Sequence, residues 1–181
     1  MVSARIIPKL TGKFFESVQE VGGIVARYIA EHWGHSNYLQ ANRIMAFRVS
    51  AFRKFRIPTK IISMDAYFYL ENKTHGGKFV YCFDVAVYTR LAQTVREYRK
   101  QSARFLHSPD EMKEHFPAEF VDREYHLPVK YYFQGILYAF FKHPIYFIFY
   151  ALLQIYVRIH KDMRAVTAIW EVDPSKTTLI K

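Results

Sequence analysis

Between Tyr131 and Val157 the chain reads YYFQGILYAFFKHPIYFIFYALLQIYV, its most apolar stretch. As one helix rising about 1.5 Å per residue, it would be long enough to cross a hydrocarbon core of about 30 Å. Its middle argues against that. Lys142 and His143 would lie near mid-bilayer, where a lysine costs about 2.5–3.5 kcal/mol, and Pro144 would kink the helix. Split there, each half is too short to span. Lys130 precedes the run and Arg158, Lys161 and Arg164 follow it, so the positive-inside tendency puts both ends on the cytoplasmic side. The expectation is a pair of interfacial or re-entrant helices over 131–160, with Tyr and Phe at headgroup depth and the bases against anionic lipid. The alternative is a helical hairpin buried in a core.

Charge supports an anionic partner without choosing one. The chain of 181 residues carries a formal net charge of +10 and a pI near 9.6, which suits nucleic acid, acidic headgroups or a phosphorylated substrate. At 51% hydrophobic and 18% aromatic it is too apolar for a disordered chain. Cys82 is the single cysteine, which excludes an intramolecular disulfide and a Cys-based metal cluster and fits a reducing, cytosol-facing location. The opening MVSARIIPKLTGKFF lacks the apolar core of a cleaved signal peptide. There is no internal repeat.

From Thr11 to Trp33, Phe14, Val18, Val21, Val25 and Ile29 recur at helical steps, with Thr11 as N-cap and Gly22 and Gly23 as interruptions. A strand is expected near Arg43 to Arg48, followed by one or two helical turns and a stop at Pro58. Ser63 caps a helix through about Thr74, punctuated by Gly76 and Gly77. KFVYCFDVAVYT has the β-branched and aromatic content of one or two short strands. Thr94 and Glu97 form a capping box for the next helix. After Leu106, Pro109, Pro117 and Pro128 and scattered charges read as loop. Helix, strand, helix, strand, helix suits an α/β layer.

In the helix beginning at Thr94, Gln101 and Arg104 lie one turn apart and point the same way, just before Phe105. A guanidinium presents a planar fork of donors to phosphate oxygens, and a neighbouring amide adds a donor without charge. By spacing alone the same residues could form a solvated polar face.

The order of motifs adds to this. QSARF resembles the Q-x-x-R-W motif of membrane-associated family 2 glycosyltransferases, a group that includes processive polysaccharide synthases. ANRIMAFR, RIP, SMDAYFY and GGKFVYCFDVAVYT resemble, in order, that family's G-x-x-x-A-F-R, I-P, E-D and G-x-x-V-x-Y…D-A-x-V-Y segments. Trp170, Ser175 and Lys176 resemble its W…S-x-K ending, so the likeness runs from about Tyr38 to Lys176. Met64 stands where the family has its first acidic residue, and Phe105 where it has Trp. The family's N-terminal nucleotide-binding half and its cation-holding Asp-x-Asp have no counterpart in these residues.

The resemblance implies a partial glycosyltransferase A-type (Rossmann-like) α/β layer followed by C-terminal membrane-interface helices. Residues 1–110 would be the acceptor-side part, 111–130 a linker loop, 131–160 the apolar helices and 161–181 a cytosolic tail. Asp65 would be the catalytic base for an acceptor hydroxyl, and Gln101, Arg104 and Phe105 would hold the diphosphate or the acceptor's phosphate. As a first-turn Asp, Asp65 would also complement a helix N-terminus. The implied partners are a nucleotide-sugar, a lipid-linked or saccharide acceptor, a membrane, and a polypeptide supplying the donor-binding half. Mg or Mn is expected of the family, although its ligand motif is missing here.

Other classes have weaker support. The competing reading is a non-catalytic membrane-surface binding protein. Arg43, Arg48, Arg53, Lys54, Arg56 and Lys60, interleaved with Phe47, Phe52 and Phe55, could bind nucleic acid, but no module signature accompanies them. His32 and His35 have no acidic or Cys partner spaced to complete a metal site, and DPSKT lacks the glycines of a phosphate loop.

Overall fold

The computed structural model describes residues 1–33, 38, 41 and 44–160. The chain starts with strand β1 (Val2–Pro8), a segment whose alternation is too short to announce itself in the sequence. Helix α1 (Phe14–Trp33) follows. Thr11 lies ahead of it and does not act as N-cap: the first helical N–H groups, of Glu16 and Ser17, go to the Lys13 carbonyl. Thr11 is instead tied to the helix by the Glu16 carboxylate, which accepts its backbone N–H at 2.6 Å and its hydroxyl at 2.9 and 3.0 Å.

Strand β2 (Met45–Ala46) falls inside the stretch expected to be extended, whose first residue, Arg43, lies outside the described residues. The short helix α2 (Val49–Phe52) supplies the expected helical turn. Helix α3 (Met64–Thr74) starts and stops where its signals place it, and Gly76 takes the left-handed conformation (φ 68°) just beyond its end. Strand β3 (Val80–Thr89) then pairs in parallel with β1. The sheet has three strands in the order β2-β1-β3, with β2 antiparallel to β1. Its β1–β3 register shifts between Ala4 and Arg5, whose partners are Cys82 and Ala86.

Helix α4 (Val95–Lys113) begins at the expected cap: the Thr94 hydroxyl accepts from Glu97 N–H, and the Glu97 carboxylate reaches back to Gln93 N–H. It does not end near Leu106. The loop reading of that region is corrected by two elements, α4 continuing through Pro109 to Lys113 and helix α5 (Ala118–Tyr125) within 111–130. An internal proline forfeits one helical hydrogen bond and costs about 3 kcal/mol. Burial of Met112 beyond it, and the two backbone N–H groups that Glu111 accepts, offset that cost. Helices α6 (Val129–Lys142) and α7 (Pro144–Ile159) divide the apolar run at His143, with Pro144 opening the second helix, as its fixed φ favours. No helix among the described residues is long and apolar enough to cross a membrane.

Buried side chains gather on two sides of α4. On one side, Tyr67, Tyr69 and Leu70 of α3 pack with Met112, Phe116 and Val121. On the other, Val18, Val21, Val25 and Ile29 of α1 pack with Ala139 of α6 and Leu153 and Val157 of α7, reaching Tyr98 and Leu106 of α4. The two glycines of α1 are explained in part by this packing. A Cβ on Gly22 would stand 2.5 Å from the Tyr150 hydroxyl, so its absence lets α7 lie close. Gly135 does the same for α6 against Val25.

Candidate functional site

Asp65 sits half-buried in the first turn of α3, where its carboxylate accepts the Ala66 N–H at 3.0 Å. The end-of-helix complement expected of this residue is therefore present. The capping expected of Ser63 is not: its side chain makes no cap bond. The turn leading into α3 is held from across the core. Glu111 of α4, almost fully buried, accepts the N–H groups of Ile62 at 2.6 Å and Ser63 at 2.9 Å. A carboxylate receiving two backbone donors is a strong, charge-assisted link, and it fastens the base of α3 to α4.

Gln101, Arg104, Ser108 and Glu111 follow one another at three- and four-residue steps along α4, so they share a face. Glu111 turns that face toward the start of α3. The Ser108 hydroxyl lies 2.7 Å from the Tyr125 hydroxyl of α5. Burial pushes the Tyr125 phenol up, the Ser108 hydrogen bond opposes it, and the charges of Asp65 and Glu111 add to the rise; Asp65 follows by two residues the Ser63 N–H that Glu111 accepts. Tyr38 stacks on the Tyr125 ring at 3.9 Å. The structure thus gathers Asp65, Ser108, Tyr125 and Glu111 at one end of the α3–α4 junction, with Arg104 and then Gln101 one and two turns back along the same helix face. Gln101 and Arg104 are half-buried, whereas Phe105 is 63% exposed and lies off that face.

Ser108, Glu111 and Tyr125 were hidden by the loop reading. The signal available in the sequence was the continued helical spacing from Arg104 to Ser108 and Glu111, which Pro109 masks.

Asp65 and Glu111 place two carboxylates at the junction, with Arg104 two turns from Glu111 along α4, and α5 is clamped to it by Lys113–Asp122 at 2.6 Å and by Tyr69 donating to Glu124 at 2.8 Å. Chemically, such a place could take a proton at Asp65 and hold an anion at Arg104. A divalent cation does not fit: no three His, Cys, Asp or Glu side chains converge among the described residues, and Glu111 is already occupied by backbone donors.

The remaining expectations divide. His32 stacks on Tyr28 at 3.9 Å, while His35 and the residues Trp170, Ser175 and Lys176 lie outside the described residues. Phe47, Phe52 and Phe55 surround Phe68, with Phe47 and Phe52 each at 5.5 Å from it, so these rings pack on one another. No protein-family model, curated protein or solved structure matches this chain. The chain is an α/β protein with a small mixed sheet and mostly helices.

Proposed function

We propose that this chain forms the acceptor side of a glycosyltransferase that moves a sugar from a nucleotide-sugar to a membrane-linked acceptor, with the donor-binding half supplied by a separate polypeptide. The observation that carries the reading is the junction of α3 and α4: Asp65 at the start of one helix, and Arg104 and Gln101 on the face of the other that turns toward it. In this role Asp65 takes the proton from the acceptor hydroxyl as that oxygen attacks the anomeric carbon. Arg104 and Gln101 donate to phosphate oxygens, and the guanidinium stabilises the negative charge that grows on the departing diphosphate. Phe105, exposed and off that face, is assigned no contact in this role. The glycosyltransferase A-type layer belongs to this proposal as well, because the three-stranded sheet by itself supports only the α/β class.

The test is transfer of labelled sugar from nucleotide-sugars to lipid phosphate, with Mg²⁺ or Mn²⁺, by the chain alone and with the polypeptide encoded beside it. Asp65→Asn should lower turnover by about 10²–10⁴-fold with the melting temperature preserved. Activity that survives this substitution removes Asp65 as the base. The second reading, a non-catalytic membrane-surface protein, is favoured by the exposed apolar sides of α6 and α7. It predicts lipid binding unchanged by Asp65→Asn and no transfer under any pairing.

A further inference from the structure

We propose that α6 and α7 lie in the plane of an anionic bilayer surface, with their sides opposite α1 sunk to the headgroup–acyl boundary; this stands independently of sugar transfer. In a helix of a water-facing protein, the side turned away from the core is polar. Here it is not. Along α7, Ile145, Ile148, Leu152, Ile155 and Ile159 recur at three- and four-residue steps, all exposed, Ile159 to 72%. Along α6, Phe133, Leu137 and Phe141 do the same, Phe141 to 76%. Half of the exposed large apolar side chains among the described residues fall between Val129 and Ile159. A surface of this kind marks an interaction site, and it is the outer side of helices whose inner sides already pack on α1.

Charge selects the occupant. From Tyr125 to Lys161 there is no Asp or Glu, while Lys130, Lys142 and Arg158 stand exposed at the helix ends. A second copy of the chain, laid face to face by a two-fold axis, would bring these bases together with no acid from either helix to neutralise them. Anionic headgroups complement them. Polar groups also occur where headgroup depth requires them. Lys142 lies over the Tyr138 ring at 5.5 Å, beside a cleft of about 450 Å³ between α1 and α6 that Arg27, Glu31 and His32 help to line. Because neither helix is long enough to cross, the embedded depth is about 5–10 Å, as for interfacial helices.

The experiment is co-sedimentation of the full chain with vesicles of phosphatidylcholine alone and of phosphatidylcholine with phosphatidylserine. The expected result is binding to the anionic vesicles that weakens as salt rises. Lys130→Gln and Lys142→Gln should each weaken it by about fivefold, on anionic vesicles only. Ile148→Asp with Leu152→Asp should weaken binding by about tenfold or more while the melting temperature holds, since both side chains are already exposed. Phe141→Trp, which keeps the face apolar, should be quenched by chain-brominated lipid. The proposal is overturned by failure to sediment with anionic vesicles, by binding that survives both aspartates, or by a dimer that those aspartates dissociate while vesicle binding is unchanged.

Discussion

Glu111 and Glu16 are buried carboxylates that do different jobs with the same chemistry. Glu111 accepts two backbone N–H groups ahead of α3 and so sets the position of Asp65. Glu111→Ala should therefore cost about 3 kcal/mol in urea denaturation, because two backbone donors lose their acceptor. As a positioning residue it should also shift the pH profile of any transfer that Asp65 performs, which a purely structural role would leave in place. Glu16 has its pKa held below the ordinary carboxylate value, first by the Thr11 N–H, with Gln93, the Thr11 hydroxyl and Lys13 acting in the same direction against burial. A carboxylate depressed on folding contributes its stability fully above the unfolded pKa of about 4.3 and loses it as pH falls through the lower folded value. Wild type and Glu16→Gln should thus differ most near neutrality and converge in acid, when melting temperatures are compared across that range. Equal slopes for the two proteins would dismiss the link. Asp65, Gln101 and Arg104 were legible as single residues because a resemblance in motif order singles them out. Glu111 was not, since nothing local says that a helix residue will cap another helix far away in the chain.

Helices carried their own punctuation where the signals were local. The Thr94–Glu97 box, the glycines after α3 and the Lys142–His143–Pro144 break all lie at or within a residue or two of the boundaries of α3, α4, α6 and α7. Where a local signal misled, tertiary packing had outweighed it. Pro109 reads as a stop, yet α4 runs through it because the residues beyond it are buried against α3 and α5. Pro109→Ala should accordingly raise stability by about 2 kcal/mol in denaturant titration, the restored helical hydrogen bond exceeding the entropy returned to the unfolded chain. Gly22 gives the opposite sign. Alanine is the better helix former, but here its methyl would meet the Tyr150 hydroxyl. Gly22→Ala should lose about 1–2 kcal/mol, and much less in a Tyr150→Leu background, which removes the ring end that the methyl meets, a coupling that a double-mutant cycle measures.

Across the whole molecule, α4 is the member common to both packed regions. It meets α3 and α5 through Met112, and α1 and α7 through Tyr98 and Leu106, with the Gln154 amide donating to the Tyr98 hydroxyl at 2.6 Å. The two regions should unfold together, so heating followed by near-ultraviolet dichroism and by hydrogen exchange should give one shared transition. Two separated transitions would mean that α4 does not couple them. This arrangement also separates what was readable from what was not. Local chemistry alone determined where most helices begin and end, the break in the apolar run, the excess of positive charge and the shared helix face of Gln101 and Arg104, since capping, proline geometry and helical spacing act within a few residues. Only the tertiary structure decided that β1 joins the sheet, that Glu111 fastens α3, that Asp65 and Arg104 approach the same junction, and which sides of α6 and α7 stay uncovered. Each of these depends on partners distant in sequence, whose contacts form only when packing closes the chain upon itself.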